Sequence, residues 1–162
     1  SSASFFSSQY NKVPTDDEAR DIWEHYWPIQ AGELLIDVGA GIGEHVVYLS
    51  RRVGPGGKVI AIEAHPRTFR CLEKTIAASG LANVVARQLA LSDSEGQVTM
   101  EDEAGYVSNR IGAGSLTVTA CTLDSLLDGL NGAVPSVVKM NIEGAETAAL
   151  RGATRALQAV PR

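Results

Sequence analysis

The strongest constraint on how this chain folds is an alternation. Short apolar runs are followed by turn residues, and these by stretches with helical spacing. Leu34–Val38 (LLIDV), Lys58–Glu63 (KVIAIE) and Asn83–Leu91 (NVVARQLAL) are such runs. Apolar runs of this length without polar alternation mark strands covered on both faces, as in parallel sheets. Between them, Gly43–Val53 places Val46, Val47 and Leu49 for burial on a helix. Pro66–Gly80 opens on a proline and closes on a glycine, the start and stop signals of a helix. The spacing therefore predicts an α/β fold: a doubly wound, mostly parallel sheet with helices on both faces and right-handed crossovers.

The flanks extend this pattern. Thr15–Trp27 predicts a helix capped by Thr15 or Asp16, with acids in its first turn. Ile22, Tyr26 and Ile29 would share its buried face beside Trp23 and Trp27, and Pro28 would end it. Gln97–Glu103 and Ser115–Cys121 alternate like antiparallel strands, joined by the polar stretch Tyr106–Arg110. That stretch reads either as surface loop or as part of an acceptor pocket. Thr122–Leu130 predicts a short helix capped by Thr122, Ser136–Glu143 a fourth core strand, and Gly144–Gln158 a helix. A last strand of this kind leaves an apolar edge unpaired, which points to a covering partner, a homodimer through that edge, or an incomplete domain.

The chain has 162 residues, suited to one domain, with 44% hydrophobic and 20% charged residues. Residues 1–15 read as a flexible tail and residues 16–162 as the domain. The net charge of -5 argues against nucleic acid or an anionic membrane as the main partner. Cys71 and Cys121 lie far apart in apolar surroundings and read as reduced thiols, which fits a cytoplasmic protein. No apolar run approaches the roughly 20 residues of a membrane span. No Cys/His spacing suggests a metal site.

The chemistry gathers where the first strand ends. Gly39, Gly41 and Gly43 alternate there, and Glu44 stands where a dinucleotide motif would carry its third glycine. Glycine lets a ligand approach the backbone, and the helix N-terminus beyond offers N–H groups to an anion. Asp37 would oppose a pyrophosphate but attract an ammonium. An amino-acid end satisfies both features. Glu63 closes the second strand, where a carboxylate can accept from a ribose diol. Ribose plus an amino-acid end describes S-adenosylmethionine.

Five segments, in order, carry a family resemblance: IDVGAGIGEH, VIAIEAHP, LALSDSEG, CTLDSLL and VVKMNIEGAE. Through them the chain resembles the FkbM family of class I S-adenosylmethionine-dependent methyltransferases. The resemblance implies a Rossmann-like core and a seven-stranded sheet whose last strands would lie beyond Arg162, so residues 16–162 would be a C-terminally incomplete methyltransferase domain. It implies that Asp37, Gly39, Ala40, Gly41 and Gly43 hold the methionine part and Glu63 the ribose. Ala64 and His65 would face Leu89 and Ala90 across the adenine. Asn141 and Glu143 would lie near the sulfonium and the acceptor. Asn141 stands where the family usually carries an aspartate, Ala40-Gly41 where it often has Ala-Asn, and Ala64 where it often has proline.

The implied reaction is methylation, most simply of an oxygen on a small-molecule or sugar-like acceptor. Such a transfer depends on holding acceptor and methyl at near-attack distance, and a hydroxyl acceptor also gains from a general base. Glu143 is the first candidate base and His45 the second. Glu143 and Glu146 also have a structural reading, as negative charge in the first turn of the last helix. His25 reads as structural, and Asp93 and Asp124 as turn and cap residues. Two other functions stay open: a domain that binds the donor or its product without turnover, and an NAD-dependent oxidoreductase.

Overall fold

The computed structural model describes residues 14–102, 109–112 and 114–159. The chain runs through α1 (Asp16–Trp23), β1 (Leu34–Val38), α2 (Val46–Val53), β2 (Lys58–Ile62), α3 (Pro66–Ser79) and β3 (Val84–Arg87). It continues through β4 (Ala90–Leu91), β5 (Gly96–Met100), β6 (Leu116–Cys121) and α4 (Leu123–Asp128). β7 (Val137–Met140), α5 (Glu146–Arg151) and α6 (Thr154–Ala159) complete it.

The expected parallel sheet is present, with strands in the order β3-β2-β1-β7. Side chains alternate across it because strand residues point to opposite faces. Leu35, Val59 and Ala61 meet Trp23, Leu49, Val53 and Leu72 from α1, α2 and α3. Ile36, Val38, Ile60 and Ile62 meet Leu123, Leu127, Ala149 and Ala156 from α4, α5 and α6. Both faces are thus covered, and each fully buried Ile or Leu contributes roughly 1.5–3 kcal/mol. Among the described residues no strand pairs with the outer edge of β7.

A second, smaller sheet has the order β4-β6-β5, with β5 and β6 antiparallel as their alternation predicts. The run Asn83–Leu91, expected as one strand, is divided between the sheets. Val84–Arg87 pairs with β2, whereas Ala90–Leu91 pairs with β6. The chain changes sheets at Gln88-Leu89, of which Gln88 is exposed.

Three helices differ from expectation. α1 ends at Trp23, well before Pro28, and its buried residues are Ala19 and Trp23. Ile22 and Tyr26 are therefore exposed, while Ile29 returns to the core from the following loop. The turn is set by Glu24, whose buried carboxylate accepts from the Ile29 N–H (3.0 Å), from Arg52 Nε (2.7 Å) and from the Tyr48 hydroxyl. The Thr15 cap is as expected, with a reciprocal bond from the Thr15 N–H to Glu18 (2.7 Å). α2 begins at Val46 and not at Gly43, because the glycine turn occupies the residues before it. The expected last helix breaks at Gly152, where a Cβ would lie 2.1 Å from the Ser92 carbonyl oxygen. Asp124 then caps α6 by accepting from the Arg155 and Ala156 N–H groups (3.0 and 2.8 Å).

Candidate functional site

A cleft of about 170 Å³ opens where β1 and β7 end side by side. Its walls include Gly39, Gly41, Glu44, His45, Ala64 and Asn109, with Lys139, Asn141 and Glu143 from β7 and its outgoing loop. The position follows the rule for open α/β sheets, in which ligands lie beyond the carboxyl ends of the strands.

Gly39 makes this geometry possible. Its φ is +76°, and a Cβ there would stand 2.1 Å from the Asn141 carbonyl oxygen. The backbone leaving β1 and the backbone leaving β7 touch at this point. Gly41 also lines the cleft, and its N–H donates to Glu63 Oε2 (3.1 Å). The His65 N–H donates to the other oxygen, Oε1 (2.9 Å). Glu63 is thus held between the glycine turn and the start of α3. Each carboxylate oxygen keeps further acceptor capacity after one backbone bond. Burial pushes the Glu63 carboxyl up to about 7, against the two backbone N–H groups that favour its charged form.

Asp37 has a different environment from the one the sequence suggests. It is fully buried, and its Oδ1 accepts from Lys139 Nζ at 3.0 Å. Burial raises its pKa from the ordinary range, and the Lys139 ammonium opposes that rise. Asp37 Oδ2 and His45 Nδ1 are buried atoms without a hydrogen-bond partner among the described residues. Burial lowers the His45 pKa and favours its neutral form, while Asp37 pulls the other way. The His45 ring also meets Trp23 edge-on, with centroids 6.2 Å apart.

Of the residues expected to hold a donor, Gly39, Gly41 and Ala64 line the cleft, and Glu63 bonds to its wall. Ala40 and Gly43 are buried behind it, Gly43 packing against Leu72 and Thr75 of α3. His65 is buried, with Nε2 3.1 Å from Asp102 Oδ1, and does not line the cleft. Leu89 packs into the core beneath α4, and Ala90 into the second sheet. Asn141 and Glu143 are exposed on the rim, and Glu143 has a φ of +54°. Glu146 accepts from the Ile142 and Gly144 N–H groups (both 2.9 Å), which hold its pKa low, and it does not line this cleft. Of the polar stretch Tyr106–Arg110, Asn109 lines the cleft, Arg110 bonds to Glu101, and residues 106–108 lie outside the described residues.

Lys139 is a cleft-lining residue that sequence reasoning missed. Its signal was a lone cation inside the apolar run Val137, Val138, Met140. A charge in a buried strand calls for a partner, and Asp37 was the acid available on the neighbouring strand. Among the described residues no group of three or more His, Cys, Asp or Glu is placed to hold a metal ion. No described helix is long and apolar enough to cross a membrane.

The glycine turn, the acid closing the second strand and the cleft above β1 and β7 define a Rossmann-like α/β domain with a ligand site at its strand ends. The sequence pattern of the methyltransferase FkbM domain matches residues 37–161. The chain belongs to the FkbM methyltransferase family. It is 33% identical over 132 residues to the hexuronic acid methyltransferase AglP of Haloferax volcanii, a match covering 79% of this chain and 53% of that protein. A match of 56 residues at 38% identity to protein-L-isoaspartate O-methyltransferase of Methanococcus maripaludis covers 35% of this chain and 26% of that protein. The crystal structure of methyltransferase FkbM from Methylobacillus flagellatus has the same fold, with a TM-score of 0.58 at 21% identity. That likeness covers 77% of this chain and 30% of the other. The chain spans about half the length of AglP.

Proposed function

We propose that this domain binds S-adenosylmethionine in the cleft above β1 and β7 and takes part in methylating an oxygen of a small, sugar-like acceptor. The observation that carries the reading is Glu63. It is oriented by two backbone N–H groups beside the glycine turn and retains acceptor capacity for a ribose diol. Asp37 Oδ2 and His45 Nδ1, which have no partner among the described residues, fit a polar ligand site beside the glycine turn. AglP is named for a hexuronic acid acceptor, which supports the sugar-like class.

When bound, the donor supplies an electrophilic methyl on a sulfonium. The residues of this chain supply orientation and proton handling. Gly39 and Gly41 let a ligand lie against the backbone, and Ala64 leaves room on the β2 side. Asn141 and Glu143 face the cleft from the end of β7, where an acceptor hydroxyl would be held. Glu143 is the first candidate to accept its proton. His45, kept neutral by burial, is the second. Holding the reacting atoms in line accounts for much of such catalysis. A cytoplasmic setting and a small-molecule partner belong to the same proposal, supported by the free thiols Cys71 and Cys121 and the net charge of -5.

Calorimetric titration with S-adenosylmethionine, S-adenosylhomocysteine and NAD tests the donor. We expect binding of the two sulfur ligands, weakened by Glu63→Ala, and none of NAD. Binding of NAD alone would overturn the reading in favour of an oxidoreductase. Asn141 favours one second reading, a domain that binds donor without turnover, because an amide there cannot act as a base. Donor binding without methylation of any hexuronic acid, restored by Asn141→Asp, would select it.

A further inference from the structure

We propose that Lys139 receives the carboxylate at the amino-acid end of the donor, with Asp37 as its buried counter-charge; this rests on the donor reading above. The polarity is then opposite to the one the sequence suggests. Asp37 and Lys139 are register partners on adjacent parallel strands, and their side chains meet at 3.0 Å. Asp37 has no exposed surface, whereas the Lys139 side chain is 22% exposed and lines the cleft beside Gly39 and Gly41. A ligand arriving over the glycine turn therefore meets the lysine ammonium before the aspartate.

The ammonium carries three donors, and Asp37 takes one. The acid holds the lysine head at the cleft floor at little cost in freedom when a ligand binds. An arriving ammonium would face a like charge there, while a carboxylate would gain a charge-assisted bond. The other charged or titratable groups electrostatically coupled to this pair are His45, which burial keeps neutral, Glu44 and Glu63. Glu44 on the cleft wall is the acid positioned for the donor's own ammonium.

The experiment compares S-adenosylmethionine with its decarboxylated analogue by calorimetry, without acceptor. A charge-assisted hydrogen bond of this kind predicts a preference of about tenfold or more for the carboxylate-bearing ligand in the unaltered chain. Lys139→Met should bring that ratio close to one. Because that change leaves Asp37 buried without its partner, the double variant Asp37→Asn/Lys139→Met is measured beside it, with thermal melting to verify folding. The ratio should collapse there too, and the double variant decides if the single one does not fold. A ratio unchanged in the double variant, or no preference in the unaltered chain, would overturn the assignment of Lys139 while leaving the donor site standing. Failure of the unaltered chain to bind either ligand would overturn both.

Discussion

Gly39→Ala tests the contact that brings β1 and β7 together. The added methyl would lie 2.1 Å from the Asn141 carbonyl oxygen, 3.0 Å from its carbon and 3.1 Å from Ile142 Cγ2. Two of these are backbone atoms, so the clash is relieved only by moving β7 and its loop. The residue would also be held at a φ of +76°. Left-handed backbone costs an alanine roughly 1–2 kcal/mol, and overpacking a close contact costs roughly 1–3 kcal/mol. The expected loss is about 2–5 kcal/mol, a large share of the roughly 5–15 kcal/mol that stabilises an ordinary domain. Gly80→Ala separates the two contributions, because Gly80 has a φ of +62° with nothing within 4 Å of its Cβ position. It should lose only the backbone part, about 1–2 kcal/mol. Urea unfolding of the three proteins, fitted with a common slope, measures the difference. Donor affinity should fall in Gly39→Ala and hold in Gly80→Ala, since only the first displaces Asn141 and Glu143. Equal losses in the two variants would refute the reasoning.

Glu63→Gln should change the pH profile of stability. The folded carboxyl titrates near 7 against an ordinary value of 4.5, so the folded state holds the extra proton between those values. The contribution of Glu63 to stability is therefore fully present below about 4.5 and is lost as pH rises through 7, by roughly 1.4 kcal/mol per unit at most. Unfolding midpoints across that range should show the fall in the unaltered chain relative to the glutamine variant. Glu24→Gln removes the charge that Arg52 and Tyr48 share. Burial raises the Glu24 pKa, but those bonds and the Ile29 N–H outweigh it and hold the pKa below the ordinary range. A loss of about 1–3 kcal/mol is expected near neutral pH, shrinking as pH falls through the carboxylate range, by thermal denaturation. Asp124→Ala leaves the Arg155 and Ala156 N–H groups uncapped and should cost about 1 kcal/mol, read from the same melts.

The parallel core was legible because its signals are local. β1, β2 and α3 each carry an uninterrupted apolar run or paired start and stop residues, and the structure places them within a residue or so of their expected bounds. That Gly39 and Gly41 line a cleft, with Glu63 bonded to its wall, was legible for the same reason, since all three follow directly from the ends of β1 and β2. What was not legible depends on partners far away in sequence. Nothing near Asp37 announces that Lys139 will lie opposite it, because register between β1 and β7 is fixed by packing on both faces. The early end of α1 depends on Glu24 finding Tyr48 and Arg52, and the break at Gly152 on the approach of Ser92. The aromatic spacing of α1 misled because Ile22 and Tyr26 fit a longer helix that tertiary bonds cut short.

The passage from β3 to β4 ties two registers to one length of chain. In a strand, a slip of one residue turns every side chain to the opposite face. Val84–Arg87 is committed to β2 and Ala90–Leu91 to β6, with only Gln88-Leu89 between them. Neither sheet can shift along this segment without inverting the inward residues of the other. The distance from Val84 to Leu91 thus acts as a gauge that sets the second sheet, and the Met100 and Ile111 wall it brings to the cleft, against the glycine turn. An inserted residue there would be read by both sheets at once, whereas one in the Pro55-Gly56 turn, where nothing lies within 4 Å of the Gly56 Cβ position, would be read by neither.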